Sequence, residues 1–393
     1  MNFHSSIHVQ KIAGEHATLR IAVVTETYPP DINGVAHTLS KIVAGLKSND
    51  HVVWLVRPRQ GTGDLQISED KFQEVFVKGL PIPFYKQLRM GLPAKKELTR
   101  LWTQHRPDLV HIATEGPLGW SALKVAQKLK LPISTDFRTN FHAYSQHYGI
   151  GWLRGAIMAY MKKFHNAAHS TMVPTLALEQ ELSSLGFERL HVVPRGVDTD
   201  LFSPDRRSDA LRASWGATQS TQVLICVSRL APEKNMHLVV KAYQALNAKN
   251  TDTKLVIVGD GPMLNTLKNL APEAIFAGFK TGEELAMHYA SGDLFVFASL
   301  SETFGNVTLE AMASGLPIVA FRHAAAGEVI TSGIHGILVE PGDESQFISS
   351  VASLGGVEQQ RIFIAKEARS KALSMSWASI LKKTEDVFYE VVN

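Results

Sequence analysis

The sequence predicts an α/β protein made of two Rossmann-like domains that face each other across a cleft. Three observations carry that expectation. Short β-branched runs alternate with longer helical patterns along the chain, the order that gives parallel sheets covered by helices on both faces. The series runs twice, on either side of the segment His191–Pro204. With 393 residues, 45% apolar and 20% charged, the chain is long enough and apolar enough to bury two cores.

Taken in order, the first series of strands is expected at Leu19–Thr25, His51–Val56, Asp108–Ala113, Leu131–Thr135 and His169–Pro174. The Pro- and Gly-containing run from His191 to Pro204 then serves as the hinge. The second series is expected at Gln222–Ser228, Lys254–Gly259, Ala274–Gly278, Asp293–Ser299, Pro317–Phe321 and Gly336–Glu340. From Ser376 to Val392, Trp377, Ile380, Leu381, Thr384, Phe388 and Val391 recur at near-helical spacing, which reads as an amphipathic helix packed on the body. Residues 1–18 are expected to fray, 19–195 to form one domain, 196–370 the second, and 371–393 a C-terminal helix. Ligands of open α/β sheets bind off the carboxyl ends of the strands, so two facing sheets place the site in the cleft.

Several function classes are excluded. No apolar run reaches the 18 or so residues of a membrane span, and Met1–Arg20 is broken by His, Lys, Glu and Gln, unlike a signal core. A single cysteine, Cys226, allows no disulfide framework and no cysteine-cluster metal site; a cytoplasmic protein is expected. Residues 1–195 hold 23 Lys and Arg against 15 Asp and Glu, and residues 196–393 hold 17 against 22. The basic half suggests an anionic partner, but so dilute an excess does not suit nucleic acid. No Gly-x-Gly-x-x-Gly follows the first strand, and Gly259-Asp260-Gly261 runs on into Pro262-Met263-Leu264, which disfavours a dehydrogenase. Walker and His-Glu-x-x-His sequences do not occur. Asp198-Thr199-Asp200 has a metal-nucleotide spacing but lies in the hinge, so Asp198 reads as structural, and no histidine joins carboxylates at ligand spacing. No metal and no cofactor are expected.

The residues that point to chemistry lie in the second half. Ser301-Glu302-Thr303-Phe304-Gly305-Asn306 leads from a strand into a helix that ends at Gly315-Leu316-Pro317. The helix start near Gly305 offers free amides and a favourable dipole to an anion, and a glycine there admits phosphate close to the backbone. Glu310 lies one turn further in and leans back toward that end, where its carboxylate suits a ribose diol. Glu302 precedes the helix and suits the hydroxyls of a second polyol. In Ser228-Arg229-Leu230-Ala231-Pro232-Glu233-Lys234-Asn235, Arg229 and Lys234 occupy a strand-to-helix loop at the same sheet edge. A guanidinium fork with an ammonium fits a diphosphate, so the two segments together describe a cradle for a nucleotide diphosphate sugar.

The combination of Glu302 and Glu310, Ser228–Asn235 upstream and Val258-Gly259-Asp260-Gly261-Pro262 between them resembles the family 4 retaining glycosyltransferases of GT-B fold. The resemblance extends over Tyr28–Val35, Tyr144–Gly149, the hinge Pro194–Phe202 and Glu302–Ala320. Its details are similar to the branch of sulfoquinovosyl-, glucuronosyl- and mannosyltransferases that build glycolipids. By that resemblance Arg229 and Lys234 hold the donor diphosphate, Glu310 the ribose, Glu302 with the Phe304–Asn306 backbone the donor sugar, and Gly278 borders the base. Asn33-Gly34-Val35 replaces the family's glycine-rich first loop, with Gly34 keeping the close approach to donor phosphate and acceptor. The first domain would bind the acceptor, and the C-terminal helix would cross back to it. One departure stands out: where the family places a donor-contacting His, this chain has Arg138, which binds an anion but does not act as a base, and His142 follows four residues on.

The implied activity is transfer, with retention, of a sugar from a UDP- or GDP-linked donor to a lipid or lipid-linked acceptor. A soluble saccharide acceptor, a nucleotide-sugar 2-epimerase or hydrolase, and a non-catalytic nucleotide-sugar-binding protein are the alternatives. Lys86, Arg89, Lys95, Lys96 and Arg100 are interleaved with Phe84, Tyr85, Leu88, Met90 and Leu92, and 152–164 repeats the mixture. Such stretches suit docking on an anionic bilayer at roughly 1 kcal/mol per basic residue, which would place the enzyme peripherally on the inner face of the membrane; a core helix with solvated lysines is the other reading of 152–164.

Overall fold

The computed structural model describes residues 18–31, 33–61, 63–82, 85–138, 154–302 and 304–393, with backbone alone at 82, 85–88 and 154. The expectations placed on residues 1–17, His142, Tyr144–Gly149 and Trp152-Leu153 therefore lie outside the described residues.

In chain order the elements are β1 (Arg20–Val24), α1 (Gly34–Ser48), β2 (Val52–Pro58), β3 (Ser68–Glu69), β4 (Phe72–Val77), β5 (Gly79–Ile82), β6 (Tyr85–Gly91), α2 (Lys95–Gln104), β7 (Leu109–Ile112), α3 (Pro117–Lys128), β8 (Ile133–Asp136), α4 (Arg154–His165), β9 (Ser170–Val173), α5 (Leu176–Ser184) and β10 (Leu190–Val192). There follow α6 (Asp209–Ser214), β11 (Gln222–Val227), α7 (Met236–Asn247), β12 (Thr253–Val258), α8 (Leu264–Leu270), β13 (Ile275–Gly278), α9 (Gly282–Ala290), β14 (Leu294–Phe297), α10 (Asn306–Ala313), β15 (Ile318–Phe321), α11 (Ala324–Val329), β16 (Ile337–Val339), α12 (Glu344–Gly356), α13 (Glu358–Leu373) and α14 (Trp377–Val392).

The first sheet has the order β10-β9-β8-β7-β1-β2-β4-β3, and the second β13-β12-β11-β14-β15-β16. All neighbours are parallel except β3 on β4. The two-sided burial expected of unbroken apolar strands is visible residue by residue. On β1, Ala22 and Val24 enter one core while Ile21 and Val23 enter another on the opposite face. On β11, Val223, Ile225 and Val227 face one core and Leu224 and Cys226 the other. Side chains alternate along a strand, so helices must cover both faces.

The strands missing from the sequence expectation are β3 to β6 and β10. A three-residue strand such as β10 is too short to carry a period, and it overlaps the start of the segment read as hinge. The β5–β6 hairpin pairs antiparallel as a sheet of its own, occupying part of the stretch read as a basic docking segment.

The chain passes between the sheets twice, and the two passages run side by side. Val197 donates its N–H to the Met375 carbonyl at 3.0 Å, and a Cβ on Gly196 would lie 2.9 Å from Trp377 Cα. After the second passage α14 lies on the first sheet, its Leu381, Val387 and Phe388 sharing a core with Ile21 and Val23. Asp198 accepts from Lys41 Nζ at 2.9 Å and from the Leu201 N–H at 3.0 Å, so this carboxylate ties α1 to the linking segment.

Candidate functional site

The carboxyl edge of the second sheet is shaped by two backbone loops packed without space between them. After β12, Gly259 and Gly261 have φ of +136° and +156°, a region open to glycine. A Cβ on Gly259 would fall 1.9 Å from the Ser228 carbonyl oxygen. Leu230 donates to the Asp260 carbonyl and Met263 to that of Leu230, both at 2.9 Å. This contact fixes the loop that carries Arg229 and Lys234. Within it, Pro232–Lys234 makes one 3₁₀ turn, and Asn235 at φ +51° turns the chain into α7.

Each cation of the loop has a carboxylate. Arg229 pairs with Glu233, whose side chain is buried, and Lys234 pairs with Glu302 of the loop after β14. The sequence separated diphosphate-binding from sugar-binding residues; the fold joins Lys234 and Glu302 directly. Gly305, with φ of +91°, forms the N-cap of α10, and a Cβ there would press on Glu302 Cγ at 3.3 Å. The amides of Asn306 and Val307 precede the first intrahelical bond, Thr308 N to Gly305 O, and have no acceptor among the described residues. Phe304 is buried in the core and its carbonyl accepts from Ala325 N at 2.7 Å; that carbonyl is committed to α11.

Glu310, one turn into α10, accepts from the Tyr289 hydroxyl at 2.9 Å. Burial raises its carboxyl to about 7, against the opposing effect of that hydrogen bond. Gly278 closes β13 at φ +72°, with open space where a Cβ would stand and its carbonyl accepting from Gly259 N at 2.9 Å.

In the first domain, Asn33 has an assigned task. Its Oδ1 accepts from Val35 N and Ala36 N at 3.1 and 2.9 Å, and its Nδ2 donates to Thr27 Oγ1 at 2.7 Å, so it caps α1. Gly34, the first residue of α1, faces the other domain: a Cβ there would lie 3.5 Å from Arg195 Nη1 and 3.9 Å from Asn306 Nδ2. The amino ends of α1 and α10 thus meet across the cleft. Arg138 is buried and paired with Asp136 at the end of β8. Glu26, after β1, accepts from Leu118 N at 2.9 Å at the start of α3, and burial pushes its carboxyl up to about 7.

Three residues of this region escaped the sequence reading. Arg195, counted only as hinge, is buried with Nη1 3.4 Å from Asn306 Oδ1 and its guanidinium 5.6 Å from the Phe304 ring. His111 and Asp136 stand beside Arg138 within the sheet. No spacing signal relates positions 111, 136, 138 and 195; only the order of β7, β8 and the linking segment brings them together.

Comparison with known proteins places the arrangement. Residues 32–201 match the family model described as Glycosyltransferase Family 4, and residues 221–355 the one described as Glycosyl transferases group 1. A GDP-mannose-dependent alpha-mannosyltransferase of Corynebacterium glutamicum is 32% identical over 368 residues, 93% of this chain and 86% of the relative. An alpha-monoglucosyldiacylglycerol synthase of Streptococcus pneumoniae is 27% identical over 334 residues, 81% of this chain and 75% of that protein. Among solved structures, a sucrose-phosphate synthase of Thermosynechococcus elongatus superimposes with a TM-score of 0.78 at 16% identity, covering 95% of this chain and 99% of its own.

Proposed function

Because this chain belongs to the family 4 glycosyltransferases, we propose that it moves a hexosyl group, with retention, from a UDP- or GDP-linked donor to a lipid acceptor. The observation that carries the donor half is the convergence of Arg229, Lys234, Glu302 and the free amino end of α10 on one sheet edge. In this reading the two cations and the helix end hold the diphosphate, and Glu310 takes the ribose hydroxyls. Glu302 orients the sugar while holding Lys234 in place. As the glycosidic bond breaks, negative charge grows on the leaving phosphate, and prealigned cations and amides stabilise it without reorganising. The acceptor oxygen bonds to the anomeric carbon on the face that the phosphate leaves, and the departing phosphate oxygen takes the acceptor proton. The Lys234 ammonium and the α10 amides supply this electrostatic assistance without any added metal.

The acceptor half draws on the relatives, one of which is named for a diacylglycerol product, and on the surface of α2. No helix among the described residues is long and apolar enough to cross a membrane. Lys95, Lys96 and Arg100 of α2 and Lys128 of α3 instead line an open groove of about 580 Å³, and Leu65, Ile67 and Leu80 are exposed on the same domain. We assign this basic face to an anionic bilayer. The 152–164 stretch contributes less than its composition suggests, since Met161 and Phe164 are core residues.

Incubation with labelled nucleotide sugars and a membrane lipid extract tests the whole reading. Label is expected in the lipid fraction. Label released as free sugar, or nucleotide bound without turnover, replaces transfer by hydrolysis or by simple binding. Vesicle co-sedimentation tests the docking face: binding requires anionic lipid and weakens as salt rises, and equal binding to neutral vesicles refutes the assignment.

A further inference from the structure

His111, Asp136, Arg138 and Arg195 are 0%, 5%, 7% and 7% exposed, packed where β7 and β8 end against the second domain. Their charges do not balance. His111 is held neutral, pushed down to about 3 by burial and by Arg138. Among the described residues Asp136 is the one carboxylate paired with Arg138, and burial raises its pKa. Arg195, lowered to about 10 by burial and by the neighbouring Arg138, remains charged at neutral pH. Glu302 also attracts Arg195, but it is already paired with Lys234. Among the described residues, the Nε atoms of both arginines are buried without a hydrogen-bond partner. Arg138 is thus paired with Asp136, while Arg195 has no ion pair of its own among the described residues and feels only the charges of Asp136 and of the already paired Glu302; an unmet charged donor out of water is costly.

The place matters as much as the charge. Arg195 Nη1 lies at Asn306, where α10 begins, and close to Gly34, where α1 begins. The positive ends of an eight-residue and a fifteen-residue helix therefore point at the same spot as the buried guanidinium. The cradle cations Arg229 and Lys234 are held separately on Glu233 and Glu302.

We propose that Arg138 and Arg195 form an anion subsite, adjoining the diphosphate cradle where α10 begins, that takes one carboxylate, sulfonate or phosphate group carried by the transferred sugar or by the acceptor beside it. This rests on the glycosyl-transfer reading and narrows its substrate class to an anionic one. Guanidinium forks match such oxyanions with paired hydrogen bonds, and a neutral hydroxymethyl group in the same place leaves them unmet.

Substrate pairs of which one member carries such an anionic group test it. Transfer is compared between UDP-glucose and UDP-glucuronate, and between GDP-mannose and GDP-mannuronate. With each neutral donor, diacylglycerol is compared with phosphatidylinositol as acceptor. In the unaltered protein an anionic member is expected to have the higher kcat/KM, by about 10- to 100-fold. A donor preference places the anion on the sugar, and an acceptor preference places it on the acceptor. Arg195→Gln and Arg138→Lys should erase the preference while UDP or GDP affinity, read by calorimetry, changes less than about threefold. The ratio is taken within each variant, so partial unfolding cannot imitate the result. A preference that survives both variants overturns the subsite, as does transfer without any charge preference. A fall in nucleotide affinity that matches the fall in transfer assigns Arg195 to the diphosphate instead. If no nucleotide binds and no donor reacts, the glycosyl-transfer reading itself fails and the subsite falls with it.

Discussion

Across the cleft, the second domain pairs each site cation with its own carboxylate, Arg229 with Glu233 and Lys234 with Glu302, whereas in the first domain Arg138 takes Asp136 and Arg195 is left to the more distant charges of Asp136 and the already paired Glu302. The first arrangement is complete before any ligand arrives. Its ion pairs hold the cations in place for a diphosphate, and the loops beneath are locked by Gly259 against Ser228. The second arrangement keeps charge out of water with donors unmet, which makes its stability depend on what enters the cleft. Preorganisation favours charge development common to every reaction of the family; an unbalanced buried charge favours discrimination between substrates.

The largest expected effect breaks the cradle. Lys234→Ala or Arg229→Ala should lower kcat/KM for transfer by a factor of about 10² to 10³, measured with saturating acceptor, because each removes a cation aligned on the departing phosphate. Full activity in both variants would show that the diphosphate sits elsewhere. The second experiment contrasts two glycines. Gly259→Ala drives a Cβ to 1.9 Å from a backbone oxygen at a φ of +136° and should cost about 3 kcal/mol of stability in urea unfolding. Gly34→Ala meets only ordinary contacts at 3.5 and 3.9 Å. It should leave stability within about 0.5 kcal/mol while weakening donor binding, since the added methyl stands in the cleft. Reversed outcomes would exchange the rigid and the open side.

The same contrast explains what the sequence disclosed. The second-domain cradle was legible because it is written in two short runs, Ser228–Asn235 and Ser301–Pro317, each a strand, a loop and a helix start. The first sheet was legible in β1, β2, β7, β8 and β9, where short runs rich in β-branched residues alternate with helical patterns. It was not legible in β4, whose Phe72-Gln73-Glu74-Val75 includes a buried carboxylate paired with Arg57, so composition resembles a loop until the partner is known. The Arg138–Arg195 group was half seen: Arg138 drew attention by departing from a resemblance, while Arg195 lay in a segment read as linker. Its role depends on residues 57 to 161 positions away, from Arg138 to Gly34, which no local pattern encodes.

A smaller effect distinguishes the two sides by pH. Glu310 in the second domain and Glu26 in the first both sit at about 7, raised by burial from an ordinary 4.5. Between pH 4.5 and 7 the unfolded chain has released these protons and the folded protein retains them, so stability falls as pH rises through that window. Thermal melts should show the fall, and Glu26→Gln should flatten it. Only Glu310 is expected to couple to ligand. In the proposed reading its ionised form accepts both ribose hydroxyls, so UDP or GDP affinity should rise up to about tenfold from pH 6 to 8, with Glu310→Gln flat across the range. A slope that persists in Glu310→Gln would place the ribose on another group.

The smallest expected effect concerns metal. A nucleotide diphosphate in water often travels with a divalent cation, and a site lacking cations of its own would need one to offset the leaving phosphate. In the proposed reading Arg229, Lys234 and the amino end of α10 face the place where that charge develops, and the ion pairs with Glu233 and Glu302 fix the positions of the two cations. Added cation would compete with these groups for the same phosphate oxygens. Transfer measured in excess EDTA should therefore stay within about twofold of the rate in magnesium, a difference of less than 0.5 kcal/mol in the barrier. Loss of activity in EDTA, restored by magnesium, would show that the second domain's paired cations are insufficient alone and that the cradle resembles the first domain's unbalanced group more than its geometry implies.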